Sequence, residues 1–223
     1  MAGQWIDVPA TDGSGSFRAY IATPAAGNGP GIVLAQEIFG VNSTMQEVAD
    51  YYAEEGYVVV APDLFWRIEP GIELGYTEAD WGRAFELFQQ FDQDKGIEDI
   101  DATLTVMRSR PEVVGQLGCV GFCLGGRMAY MMAARTDVDA SVAYYGVGID
   151  GLLGEKDAIA NPLMLHIPTE DGFVDHDTQK AMHEALDPHP KLTLHDYEGL
   201  DHGFATEFGQ RRDEDAANLA DSR

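Results

Sequence analysis

The stretch QLGCVGFCLGGRMAYMMAA, residues 116–134, passes from an apolar run through a glycine-flanked turn into a segment with helical spacing of its apolar residues. Residues 117–121 read as a strand, Gly121-Phe122-Cys123-Leu124-Gly125 as a tight turn and 126–135 as a helix. A strand that feeds directly into a helix is half of a βαβ unit, the building block of a parallel sheet covered by helices on both faces. The alternation continues on either side. Runs at 17–23, 31–35, 57–61, 140–144, 163–167 and 192–197 read as further strands with helix-like segments between them. The fold class is therefore α/β, with a mostly parallel central sheet and helices on both faces.

Between the second and third of these strands Thr44 opens a helix, with Glu47 as its capping-box partner and Val48, Tyr51 and Tyr52 as an apolar face. Residues 68–76, with Pro70, Gly71 and Gly75, read as a loop; Thr77 then caps a helix running to about residue 90. A helix over 96–109 aligns Ile97, Ile100, Leu104 and Met107, and another covers 177–186. No repeat, low-complexity segment or linker interrupts the chain, so 1–223 reads as a single domain.

Composition narrows the function. A chain of 223 residues with 45% hydrophobic residues is long enough to bury a sizeable core. The N-terminus lacks the basic start and apolar stretch of a signal peptide, and no run approaches the roughly 20 apolar residues of a membrane span, so the expected location is cytoplasmic. The net charge is −24, from 38 acidic and 14 basic residues, which repels phosphate backbones and anionic membranes. Nucleic acid and membrane are thus set aside as partners. The acid excess fits either a high-salt habitat or ordinary solubility. The cysteines, Cys119 and Cys123, match neither a zinc ribbon nor a disulfide framework and are expected to be thiols.

The turn at 121–125 has the nucleophile-elbow pattern, with cysteine where serine is usual. The central residue of such an elbow is strained, and flanking glycines let neighbouring backbone approach. The helix that follows points its positive end at the turn, which favours a thiolate and a substrate oxyanion. A bare G-x-C-x-G also fits a buried thiol in a glycine-rich turn; the order of possible partners decides between the two. In α/β-hydrolases the nucleophile comes first, then an acid, then a histidine, each after a later strand. Here LMLHI is followed by PTEDGFV, which carries Asp171, and LTLHDY by EGLDHGF, which carries His202. Glu170 is the rival acid and Asp201 ranks below both, because side chains adjacent in a loop usually diverge. His166 and His195 lie inside strands and read as structural, whereas His176, His183 and His189 fall on surface-type segments. The oxyanion hole needs one N–H from the residue after the nucleophile, Leu124, and one from the loop after an earlier strand, QEIFGVN, where Ile38 is the choice. Glu37 beside it is placed to aim a carboxylate at the site.

With these motifs assembled, the sequence resembles the dienelactone hydrolase family, carboxymethylenebutenolidases that open an unsaturated lactone. AQEIFGVN (35–42), APDLF (61–65), GFCLGG (121–126), YYGVG (144–148), EDGFV (170–174) and DHGFA (201–205) fall in the family's order and spacing across nearly the whole chain. The resemblance implies an α/β-hydrolase fold, a triad at Cys123, Asp171 and His202, and at Glu37 a carboxylate near the resting thiol. It implies no cofactor and no metal, and a monomer or small homo-oligomer acting on a small-molecule ester or lactone. The family's two carboxylate-binding arginines fall at Trp81 and Thr206 here, which with Phe39 become the expected substrate-binding residues. Arg83 is near, but two positions along a helix is about 200° around it. The family's longer terminal helix is cut to ANLADSR. Two other functions stay open: an esterase or lactonase for uncharged substrates outside dienelactone breakdown, and a weakly catalytic binding or redox-sensing module built on Cys123.

Overall fold

The computed structural model describes residues 3–206 and 211–223. The chain divides into two compact units, residues 1–119 and 120–223. In the first, strands β1 (Gln4–Pro9), β2 (Ser16–Ala22), β3 (Gly29–Ala35), β4 (Val58–Pro62) and the start of β5 (Val113–Phe122) lie in the order β1-β2-β4-β3-β5. β1 and β2 form an antiparallel hairpin, β2 pairs antiparallel with β4, and β3 pairs parallel with β4. The hairpin strand β1 is missing from the sequence reading: its exposed and half-buried residues at Gln4, Trp5, Ile6 and Asp7 carry no clean alternation.

Helix α1 (Ser43–Glu54) packs on β2 and β4, and α3 (Gln93–Ser109) on β1, β3 and β4, while α2 (Glu78–Gln90) lies between them in the chain. The start of α1 corrects the expectation at Thr44. Its cap is Asn42, whose side chain accepts the Met45 N–H, and Thr44 is buried within the first turn. Its buried face is Met45, Val48, Ala49 and Ala53, whereas Tyr51 turns to solvent. The cap at Thr77 is as expected: its hydroxyl accepts the Asp80 N–H and the Asp80 carboxylate accepts the Thr77 N–H. Ile97, Ile100, Leu104 and Met107 of α3 are all buried, each contributing about 1.5–3 kcal/mol of apolar transfer.

The second unit takes the end of β5 and continues with α4 (Leu124–Arg135), β6 (Ala140–Tyr144), a 3-10 helix at Asp150–Ala158, β7 (Leu163–Pro168), α5 (His176–Leu186), β8 (Leu192–Tyr197) and α6 (Glu214–Asp221). Its strands run β5-β6-β7-β8, with β6, β7 and β8 paired in parallel. In a parallel sheet every strand points the same way, so the loops after β5, β7 and β8 leave from one edge. That edge carries Cys123, Asp171 and His202.

Candidate active site

Cys123 sits between β5 and α4 with φ 57° and ψ −113°, a backbone conformation that residues with a Cβ rarely adopt. The surroundings hold it there. Its N–H donates to the Tyr144 carbonyl at 3.0 Å and its carbonyl accepts the Arg127 N–H at 3.2 Å. A Cβ at Gly121 would run into the Gly125 carbonyl, and one at Gly126 would lie 2.6 Å from the Tyr144 oxygen. Strain of this kind costs about 1–3 kcal/mol and survives only where packing over-determines it. The result is a half-buried thiol at the tip of the turn. Leu124 opens α4, so its N–H is one of the first-turn donors that no carbonyl within the helix accepts. Cys119, the other thiol, is buried inside β5, and burial pushes its pKa up to about 12.

Asp171 and His202 come together as expected. His202 Nδ1 and Asp171 Oδ2 are 2.9 Å apart, and both side chains are almost fully buried. The other carboxylate oxygen of Asp171 accepts the Phe173 N–H at 2.8 Å, which sets its rotation. Gln179 of α5 braces this loop by donating to the carbonyls of Val174, Pro168 and Thr169. The rings of Tyr145 and Phe173 meet the His202 imidazole edge-on at 4.9 and 4.8 Å. Nε2 of His202 is buried and makes no hydrogen bond of standard geometry among the described residues. Burial disfavours the imidazolium, yet the nearby Cys123 sulfur and the Asp171 carboxylate outweigh it and push the His202 pKa up to about 10. A histidine that is charged beside a cysteine and oriented by an aspartate is equipped to protonate a leaving group.

The other histidines and the rival acids fall elsewhere. Glu170 is exposed and lies 3.5 Å from His176. Asp201 does not meet the imidazole ring; its Oδ1 accepts the backbone N–H groups of Gly172 and His202. His166 is buried in β7 with Nδ1 2.7 Å from the Tyr197 hydroxyl, and His183 bridges Asp187 and Asp196. Thr206 is also committed: buried, with its hydroxyl 2.9 Å from that of Tyr145. Tyr145 itself was not singled out from the sequence. It has φ 39°, is fully buried, and packs on both His202 and Phe204. Two successive aromatic residues at a strand end look like ordinary core in a sequence, and only the positive φ marks Tyr145 as a special position.

In the first unit, Glu37, Ile38 and Phe39 lie just after β3 and are all buried. Phe39 is held edge-on between Tyr76 and Trp81, at 4.8 and 4.9 Å, and Trp81 continues to Phe85. Arg83 is spent on Glu69 and Glu86. Among the described residues no group of three or more His, Cys, Asp or Glu is arranged to hold a metal, and no helix is long and apolar enough to cross a membrane.

The family model for dienelactone hydrolases matches residues 17–223. The chain belongs to the dienelactone hydrolase family. A relative from Azospirillum brasilense is 43% identical over 98% of this chain and 94% of its own. The carboxymethylenebutenolidase of Pseudomonas putida is 36% identical over 100% of this chain and 94% of its own. Among solved structures, a dienelactone hydrolase-like promiscuous phosphotriesterase from metagenomic libraries superposes with a TM-score of 0.78 at 20% identity, covering 100% of this chain and 95% of that one. The fold is that of the α/β-hydrolases, a central sheet flanked by helices. As a member of this family the protein is a carboxylic ester hydrolase that acts on esters or lactones through a cysteine.

Proposed function

We propose that hydrolysis proceeds through a covalent thioester on Cys123, with His202 as proton carrier and Asp171 as the group that orients it. The observation that carries this reading is the 2.9 Å His202–Asp171 contact beside a strained, half-buried cysteine. The Cys123 thiolate attacks the ester carbonyl, forming the C–S bond and moving the π electrons onto oxygen. Leu124 N–H receives that oxyanion, and Ile38 N–H is the second donor that the nucleophile-elbow pattern calls for. The tetrahedral intermediate collapses, and the departing alkoxide or enolate takes the proton of the His202 imidazolium. Neutral His202 then removes a proton from water as it attacks the thioester; the thiolate leaves and the acid is released. The family resemblance adds a role for Glu37 at the resting thiol before substrate arrives.

The chain reads as one catalytic domain, supported by a single family model that spans residues 17–223. The substrate is a small ester or lactone with an aromatic or alkyl group for Phe39 and Trp81. The strong negative charge supports a protein that binds neither nucleic acid nor membrane, and the thiol state of Cys119 and Cys123 fits a cytoplasmic monomer or small homo-oligomer.

Cys123→Ala should abolish turnover of an aryl ester, and Cys119→Ala should leave it nearly intact. Incubation with substrate followed by mass spectrometry should trap the acyl group on residue 123. Equal losses in the two variants, or no acylation at Cys123, would overturn the mechanism.

A further inference from the structure

The loops that carry the acid and the histidine are laced together rung by rung. Thr169 N–H donates to the Tyr197 carbonyl at 3.0 Å, Gly199 N–H to the Thr169 hydroxyl at 2.8 Å and Glu170 N–H to the Leu200 carbonyl at 2.8 Å. The last rung before the reacting groups is a side chain. Oδ1 of Asp201 accepts the Gly172 N–H at 2.9 Å and the His202 N–H at 2.7 Å. These two N–H groups belong to the residue that follows the acid and to the histidine itself, so a single oxygen fixes the separation of the two backbones. Its other oxygen faces Arg211 Nη1 at 3.4 Å, and that guanidinium also reaches the His202 carbonyl at 3.4 Å.

We infer that Asp201 is a positioning residue: by tying Gly172 to His202 it holds the Asp171 carboxylate at hydrogen-bonding distance from the imidazole. The inference rests on the Cys123–His202–Asp171 reading. Asp201 does not touch the reacting atoms, and its effect passes entirely through the placement of Asp171 and His202. Partial burial works against its charge, but the two N–H donors, Arg211 and His202 hold its carboxyl below the usual carboxylate range, so it remains ionised at working pH. A carboxylate acceptor makes stronger bonds to N–H donors than a neutral one, and a shift of about 1 Å at a catalytic pair can cost roughly a hundredfold in rate.

Three variants test this. Asp201→Asn keeps an oxygen for both N–H groups and should hold kcat within about threefold of wild type. Asp201→Ser keeps an acceptor next to His202 but is too short to reach Gly172, and Asp201→Ala removes both bonds. The Ala variant should lose about ten- to a hundredfold in kcat with KM changed little, and Ser should fall between Ala and Asn. The downfield proton resonance of a His202 Nδ1–H bonded to Asp171 should persist in Asn and disappear or broaden in Ala. If the Ala variant does not fold, the Ser-to-Asn comparison carries the test. The inference is overturned if Asn is as impaired as Ala, or if folded Ala or Ser retains wild-type kcat and the downfield proton. Asp171→Asn and Cys123→Ala are measured alongside. Activity surviving in those two would mean that the triad reading fails, whereas their inactivity with an active Asp201→Ala would sink only the role of Asp201.

Discussion

At Cys123 a residue with a Cβ is held at φ 57°, and its half-buried thiol interacts with the buried His202 imidazole. Charge at the two residues is linked. Burial works against the His202 imidazolium, and it is the Cys123 sulfur, seconded by Asp171, that lifts its pKa to about 10. In the wild-type protein the His202 ring resonances should therefore show the imidazolium through neutral pH. Cys123→Ala removes the leading favourable partner, so the ring should then titrate at distinctly lower pH. An NMR titration of both proteins checks this, and identical His202 curves would mean that the cysteine does not govern the histidine.

The expected preference for substrate charge rests on helix α2, which carries Trp81. Its capping box at Thr77 and Asp80 sets where the helix begins, and from there Trp81 is presented to Phe39 while Ala84 and Leu87 are buried. Where the family resemblance implies two carboxylate-binding arginines, this chain has an indole and a threonine. The threonine hydroxyl is already engaged by Tyr145, and Arg83 on the same helix is paired with two glutamates. Each charge-assisted hydrogen bond forgone is worth roughly 1.5–3 kcal/mol, so losing two weakens carboxylate binding by about a hundredfold or more. A neutral ester or lactone should be turned over with higher kcat/KM than its carboxylate analogue at equal ionic strength. Trp81→Arg should shift that ratio about tenfold towards the anion. Thr206→Arg is a poorer probe, because it would break the Tyr145 contact and bury a cation. A wild-type preference for the carboxylate would refute the neutral-substrate reading.

For the molecule as a whole, a loss of stability in acid is expected from a buried histidine, His166. His166 stacks on Tyr144 at 4.4 Å, and the Tyr197 hydroxyl meets its Nδ1 while Arg223 donates to the Tyr197 oxygen. Burial above all, then His195 and Arg223, drop the His166 pKa to about 3. Between that value and the unfolded value near 6.5, the unfolded chain binds a proton that the folded protein refuses. Stability therefore rises with pH across the window and is lost as pH falls from about 6.5 towards 3, by up to a few kcal/mol. Urea midpoints measured from pH 7 to 4 should fall steeply in the wild type and less steeply in His166→Gln. Parallel slopes would show that another group controls acid unfolding.

The sequence by itself determined the alternation of strands and helices, the elbow at 121–125, and the order in which nucleophile, acid and histidine appear. These are legible because each depends on a local rule: apolar periodicity, the glycine spacing of a tight turn, and the position of a polar residue just after a strand. Even there, local signals misplaced the start of α1, where Asn42 takes the role read at Thr44 because its side chain is the one that reaches the Met45 N–H. The hairpin strand β1 escaped because its pairing with β2 is set by a neighbour and not by its own pattern. The tertiary structure brings Asp171, the expected acid, and not its rival Glu170 to His202, and it alone shows that Thr206 is consumed by Tyr145 and that Asp201 bridges two loops. Those are contacts between residues about 30 to 60 positions apart, fixed by parallel strands that bring their following loops to one edge. No rule that reads along the chain measures that distance.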